Sequence, residues 1–283
     1  MNTVKVAVLM AALTGLFVLM GQAVGGNGGM IIAFVLAVVM NFGAYWFSDK
    51  LALKATRARA VSEAEAPELH QMVEILAKRA SIPKPGVYVV DDPSPNAVAT
   101  GRNPANAAVA VNTGLLNILD RQEVYGVLAH EVAHIKNRDT LTMTVVATIA
   151  GAITMIAQFA QFAAMFGGLG RNEDGEGMNP IGLLVMALVA PFAAMIMQLA
   201  VSRAREFEAD KLGAQLAGDT HGLSNALLKL ERGTMAIPTH TTPNRAPLYI
   251  VNPLKGMDGL SRLFMTHPPI QERVSKLSQL KVS

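Results

Sequence analysis

The segment His130-Glu131-Val132-Ala133-His134 holds the residues whose types and spacing most clearly indicate chemistry. On an α-helix, side chains at i and i+4 lie on one face, about 6 Å apart, so two imidazoles placed there can bind one zinc ion. Glu131 follows the first histidine, where its carboxylate can take a proton from a water molecule on that ion. The pattern predicts His130 and His134 as zinc ligands and Glu131 as general base. The alternative is an exposed helix with two unrelated histidines.

Local signals place this motif on a helix of about residues 120–138. Asp120 followed by Glu123 is typical of a capping box at a helix start. Apolar residues then recur at helical spacing: Val124, Val127, Leu128 and Ile135. The histidines therefore lie on the secondary structure that their chemistry requires.

A catalytic zinc site needs a third protein ligand from elsewhere, because the fourth position is kept for water. Glu206 and Asp210 are four residues apart and share a helix face. One carboxylate can then bind zinc while the other orients a ligand histidine. Glu208 lies about 200° from Glu206 around a helix and has no acidic partner four residues on. We predict Glu206 as the third ligand and Asp210 as the orienting group; the alternative is a charged helix flank at a membrane interface.

The apolar residues are concentrated in runs that indicate membrane spans. The chain is 51% hydrophobic, with a mean hydropathy of +0.34. Each run is long enough to cross ~30 Å of hydrocarbon, and the runs are residues 6–24, 30–47, 141–169 and 180–200. The first could be a cleaved signal peptide, but a second run follows after five residues, which favours a hairpin. The last two could be buried core helices, and Gln158 and Gln161 weaken the prediction for the third run.

Basic residues flank the runs on one side of the predicted membrane. By the positive-inside rule, both polar stretches and both termini lie in the cytoplasm. This predicts a hairpin at 6–48, a catalytic part at 49–140, a second hairpin at 141–200 and a second catalytic part at 201–283. The net charge of +3 is explained by membrane flanks and does not indicate nucleic-acid binding.

The order of several motifs resembles the HtpX family of bacterial membrane zinc metalloproteases, which are relatives of the CAAX prenyl proteases. The four hydrophobic runs, split around the first motif, match as well. The motifs are His130-Glu131-x-x-His134, Glu206-x-x-x-Asp210, His267-Pro268-Pro269-Ile270-Gln271-Glu272-Arg273 and Asn96-Ala97-Val98-Ala99-Thr100-Gly101.

The resemblance implies a mainly α fold with a small β-sheet, in which four transmembrane helices carry a cytoplasmic gluzincin-like metalloprotease domain. It implies one Zn2+ per chain and polypeptide substrates, namely damaged or misfolded membrane proteins handled in quality control under stress. It also implies an integral protein of the bacterial cytoplasmic (inner) membrane, in contact with the lipid bilayer.

The resemblance extends the site to further residues. Asn96 and Ala97 become candidates for substrate contact, on a strand whose small side chains would let a peptide approach as an added strand; the alternative is an ordinary edge hairpin. We predict that His267 or Arg273 stabilises the negative charge on the scissile carbonyl oxygen. Arg273 has a rival role, an ion pair with Glu206 or Asp210. Asp139 could brace the site or cap the polar end before the third run.

Two other classes of function are consistent with parts of the sequence. One is a protease that cuts inside the membrane, which the charged residues Lys136, Arg138 and Asp139 beside the motif argue against. The other is a non-enzymatic membrane scaffold with a structural zinc, which is usually closed by four ligands, often cysteine. The chain has no cysteine, and Glu131 would have no purpose in such a site.

Overall fold

The computed structural model describes residues 2–143, 203–236 and 268–282, which form a mostly helical structure with a small sheet. This confirms the predicted mainly α architecture. The helices are α1 (Asn2–Trp46), α2 (Ser48–Ala55), α3 (Pro67–Ala80), α4 (Thr113–Ile118), α5 (Arg121–Asn137), α6 (Arg203–Ala217), α7 (His221–Ala236) and α8 (Ile270–Ser278). The strands are β1 (Arg59–Ala60), β2 (Gly86–Val90), β3 (Ala97–Gly101) and β4 (Ala107–Asn112). The fourth hydrophobic run, most of the third, and His267 lie outside the described residues.

Helix α1 folds back on itself near its middle. Gly26 has φ +57°, a left-handed conformation that glycine adopts without steric cost. The Asn41 side-chain amide donates to the Met10 carbonyl at 3.3 Å and to the Thr14 hydroxyl at 2.9 Å. In a straight helix, residues 27 apart would be about 40 Å apart, so the two arms of α1 run antiparallel.

The outer surface of α1 is apolar. Large side chains such as Ile32, Phe34 and Phe42 are exposed. Among the described residues, α1 is the one helix long and apolar enough to cross a membrane, judged by length and composition, in the window Gly26–Gly43. Only 6% of that window is buried, whereas the core helix of a soluble protein is mostly buried.

The sheet has the order β1-β2-β4-β3, with β2 and β4 parallel and the other pairs antiparallel. Strand β3 is therefore an edge strand, and it forms an antiparallel hairpin with β4. Helices α3, α5, α6 and α7 bury their apolar faces in a core shared with the sheet, which includes Leu76, Val109, Leu128, Val132 and Leu227.

Helix α5 forms as predicted, and its ends have identifiable causes. The Asp120 carboxylate accepts from the Glu123 N–H at 3.0 Å, and the Glu123 carboxylate accepts from the Asp120 N–H at 2.9 Å, which completes the capping box. The helix ends at Asn137 and is followed by Arg138, which has a left-handed φ of +59°. Helix α6 packs closely on α5: a Cβ at Gly213 would lie 3.0 Å from the backbone of His130. This close approach brings the acidic face of α6 to the histidines.

Candidate active site and metal centre

Three side chains from α5 and α6 converge in the interior of the protein. The Nε2 atoms of His130 and His134 lie 3.1 Å apart. Glu206 extends from α6 between them, with Oε1 3.6 Å from His134 Nε2 and Oε2 3.8 Å from His130 Nε2. All three side chains are buried. The structure therefore brings together the three residues that the sequence predicted as metal ligands.

The separations between the donor atoms suit a small divalent metal ion. Zinc binds nitrogen and oxygen at 2.0–2.2 Å with tetrahedral geometry, which puts its ligand atoms about 3.4 Å apart. The observed separations of 3.1, 3.6 and 3.8 Å lie on both sides of this value. Two imidazoles and one carboxylate are also a known donor set of catalytic zinc sites. The residues present therefore fit the ion.

A carboxylate lies beside the other ring nitrogen of each histidine. Asp210 Oδ1 is 2.9 Å from His130 Nδ1, and Asp139 Oδ2 is 3.3 Å from His134 Nδ1. A carboxylate in this position favours the tautomer with the proton on Nδ1, which leaves the Nε2 lone pair for a metal. Asp210 thus has the position expected for its predicted orienting role. For Asp139, where the sequence left two roles open, the geometry supports bracing of the site.

Arg273 joins α8 to this cluster. Its Nε donates to Asp210 Oδ2 at 2.8 Å and its Nη2 to Asp210 Oδ1 at 2.6 Å, while Nη1 lies 3.7 Å from Glu206 Oε2. The side chain is fully buried. Because these contacts commit the guanidinium to two carboxylates, the structure favours the ion-pair role of Arg273 over the oxyanion role.

Burial and neighbouring charges both shift the pKa values of these groups. Burial alone would raise the pKa of Asp210, but the charge and hydrogen bonds of Arg273 outweigh it and lower that pKa to about 2. Burial lowers the pKa of His130, and the neighbouring His134 lowers it further. Burial also acts to lower the pKa of His134, but the Asp139 hydrogen bond and the Glu206 charge raise it to about 9. The neighbouring carboxylates thus outweigh the effect of burial on the pKa of His134 but not on that of His130.

Glu131 lies beside the candidate metal ligands and bonds to the sheet. One position along a helix corresponds to about 100° of rotation, so Glu131 and His130 project in different directions. The Ala99 N–H in β3 donates to Glu131 Oε2 at 2.7 Å. Burial raises the pKa of Glu131 to about 7. Glu131 is not one of the three converging ligands, as its predicted role as a base requires.

The remaining predicted residues have different positions. Ala97 begins β3 and Asn96 directly precedes it, with the Asn96 carbonyl accepting from the Asn112 N–H at 2.9 Å. Both side chains are buried. A substrate would therefore contact the strand backbone rather than these side chains. Glu208, the rejected alternative ligand, is exposed on α6.

Sequence reasoning missed one contact of the site. The Ala99 amide carries no side-chain signal, because any residue with an N–H could make the same bond. Only the pairing of β3 beside α5 reveals it.

A buried pair of histidines and a glutamate, with a second glutamate beside them on an H-E-x-x-H helix, defines a metallopeptidase. Comparison with known proteins identifies the group. The model of peptidase family M48 matches residues 63–281. The protease HtpX homolog of Pelotomaculum thermopropionicum is 51% identical over 283 residues and covers all of both chains. The homolog of Burkholderia mallei is 50% identical over 282 residues, which are 99% of this chain and 97% of that protein.

The fold is also similar to a solved structure. S. mikatae Ste24p superimposes with a TM-score of 0.54 at 20% sequence identity, over 94% of this chain. The chain spans 62% of the length of that protein, so the similarity concerns the fold alone. The chain belongs to peptidase family M48 and, within it, to the HtpX proteases.

Proposed function

We propose that the protein is a zinc metalloendopeptidase of the bacterial inner membrane that cleaves damaged or misfolded membrane proteins under stress. The observation that carries this proposal is the convergence of His130, His134 and Glu206, with Glu131 next to them but not among them. The relatives are proteases by name, which supports polypeptide substrates.

Each residue of the proposed site has a separate role in peptide hydrolysis. A zinc ion bound by His130, His134 and Glu206 would polarise the scissile carbonyl and acidify the attacking water. Glu131 accepts a proton from that water and then donates it to the leaving amine. Asp210 and Asp139 keep the two imidazoles in the ligand orientation.

Two further residues complete the proposed site. His267 is proposed as a donor to the oxygen on which negative charge develops. Arg273 is a positioning residue, because its two bonds to Asp210 fix the carboxylate that in turn orients His130. The backbone of β3 near Asn96 and Ala97 is proposed to contact the substrate.

Replacing Glu131 tests the general base. Glu131→Gln keeps the shape of the side chain and removes its basicity, so zinc should remain bound while turnover falls about 10²-fold. The assay is chelator-sensitive cleavage of an unfolded soluble protein by the detergent-solubilised chain, with bound zinc measured by elemental analysis. Glu208→Gln, on the exposed side of α6, is the matched control and should cleave normally. A fully active Glu131→Gln variant would exclude this role, and a wild-type chain that binds zinc but cleaves nothing would favour a scaffold.

We propose that four spans place both polar stretches and both termini in the cytoplasm. The exposed apolar surface of α1 and the basic residues that follow it support this arrangement. The proposed division remains 6–48, 49–140, 141–200 and 201–283, with hairpins alternating with catalytic parts.

Single cysteines test the orientation, since the chain has none of its own. They would be placed at Ser62, Asn172 and Ser278 and treated with an impermeant thiol reagent on intact cells. Only position 172 should react, because it lies in the loop without a basic excess. Reaction at 62 or 278 would invert the orientation.

A further inference from the structure

Strand β3 presents alternate backbone groups in opposite directions. It lies at the sheet edge and pairs with β4 alone among the strands. The Asn112 N–H bonds to the Asn96 carbonyl, so Asn96 and every second residue after it face β4. Ala97, Ala99 and Gly101 therefore direct their N–H and C=O groups to the outer edge.

Two of these outward groups bond to helical side chains. The Ala99 N–H donates to Glu131 Oε2 at 2.7 Å. The Gly101 carbonyl accepts from the Thr140 hydroxyl at 2.9 Å, at the start of the helical segment 139–143. The Ala99 bond is thus not part of the sheet ladder, and its loss would leave the pairing of β3 with β4 intact.

The Ala99 bond has a direct consequence for the carboxylate of Glu131. A glutamate side chain has three rotatable bonds, and burial by itself does not fix which way the carboxylate plane faces. A short bond from a backbone amide to Oε2 fixes this plane, since the amide belongs to a paired strand. The second oxygen, Oε1, is not engaged by this bond. A charge-assisted bond of this length is strong.

We propose that the Ala99 amide is a positioning group for Glu131, which orients the carboxylate so that one oxygen is kept for the proton of the attacking water. This inference rests on the proposed function, in which Glu131 is the general base. The amide donates its hydrogen bond to Glu131 Oε2, so it is proposed to act through that carboxylate.

Removing the amide hydrogen without changing the side chain tests the proposal. Incorporation of lactic acid at position 99 by nonsense suppression replaces the N–H with an ester oxygen and keeps the methyl group. Ala99→Pro is the simpler genetic variant, tolerable because this N–H is outside the ladder on an edge strand. For both, kcat should fall about tenfold or more, with KM and bound zinc unchanged.

Thr140→Val is the matched control. It removes the neighbouring bond to Gly101 and loosens the same strand, but it does not touch Glu131. Its kcat should stay within about twofold of wild type while its melting temperature falls. An equal loss of kcat in Thr140→Val would show that β3 matters only as a structural support.

A double variant separates positioning from a general loss of structure. If the amide acts only through Glu131, adding the position-99 ester to Glu131→Gln should slow turnover no further. Additive losses would overturn the proposal, and so would a wild-type kcat or loss of zinc in the ester variant. Wild-type turnover by Glu131→Gln alone would instead refute the proposed function.

Discussion

The metal site and the α1 hairpin both place polar groups between packed helices, but with different chemistry. At the site, the buried groups include an ion pair, in which Arg273 and Asp210 compensate each other through two hydrogen bonds. In the hairpin, the contact is partly buried and made by a neutral amide, with Asn41 donating to a hydroxyl and a backbone carbonyl. The site lies on helices that pack into the apolar core. The hairpin instead exposes its apolar side chains on its outer surface.

This difference indicates how the stability of each region should respond to amino-acid substitution. Burying a charge is costly unless an opposite charge compensates it. Removing one partner of a buried ion pair therefore leaves the other charge desolvated and uncompensated. A neutral amide between helices in lipid contributes less, because alternative partners are available when helices separate. Single substitutions at the site should therefore be far more damaging than those in the hairpin.

The largest effect is expected at Glu206. Glu206→Ala removes the third ligand, so bound zinc and cleavage should both be lost. Glu208→Ala removes an equal charge from the exposed face of the same helix and should keep both. Elemental analysis and a cleavage assay on the two purified variants give the comparison. Full zinc in Glu206→Ala, with loss in Glu208→Ala, would show that the other glutamate binds the metal.

Arg273→Ala should have the next largest effect. It leaves Asp210 buried without its two-pronged partner, which destabilises by about 3–5 kcal/mol in comparable pairs. The melting temperature in detergent should fall, and zinc should bind more weakly because His130 loses its fixed neighbour. Arg273→Lys should recover only part of the loss, since one ammonium cannot reproduce the planar fork.

Lys276→Ala is the control for this prediction on the same helix. Its ion pair with Glu272 is 3.7 Å long and exposed, and its ammonium lies 3.5 Å from the centre of the Phe207 ring, so the change should cost about 1–2 kcal/mol, less than the loss of Arg273. If Arg273→Ala melts like Lys276→Ala but turns over about 10²-fold more slowly, the oxyanion role of Arg273 would be restored.

The smallest effect is expected at Asn41. Asn41→Leu removes both hydrogen bonds between the arms of α1 and should cost only about 0.6 kcal/mol, the average for such bonds in membranes. Val39→Ala, at an exposed position in the same arm, is the control. Unfolding in mixed micelles measures both variants. A loss at Asn41 as large as that at Arg273 would contradict the contrast between the two regions.

The sequence predicted those parts of the site that depend on spacing within one helix. The capping box of α5, the two histidines on one face and the Glu206/Asp210 pair are all local patterns. Contacts between segments distant in sequence were harder to predict. The sequence named both roles of Arg273 but could not choose between them, because the choice depends on where α8 packs.

The α1 segment shows another limit of sequence reasoning. The five residues Gly25–Gly29 suggested a break between two hydrophobic runs, yet the chain is helical on both sides of a reversal at Gly26. The glycine-rich sequence indicated where the chain reverses, but not that the reversal is this short. The number of spans beyond α1 remains a prediction, because the third and fourth runs lie largely outside the described residues.

The order of the ligands along the chain has a consequence for biosynthesis. His130 and His134 are translated before the hydrophobic runs of residues 141–200, and Glu206 only after them. A growing chain therefore carries its H-E-x-x-H helix for some time without a third ligand or the brace from Arg273. The candidate site cannot be complete until both later segments have emerged and docked. This order delays assembly of the site until most of the chain has been synthesised.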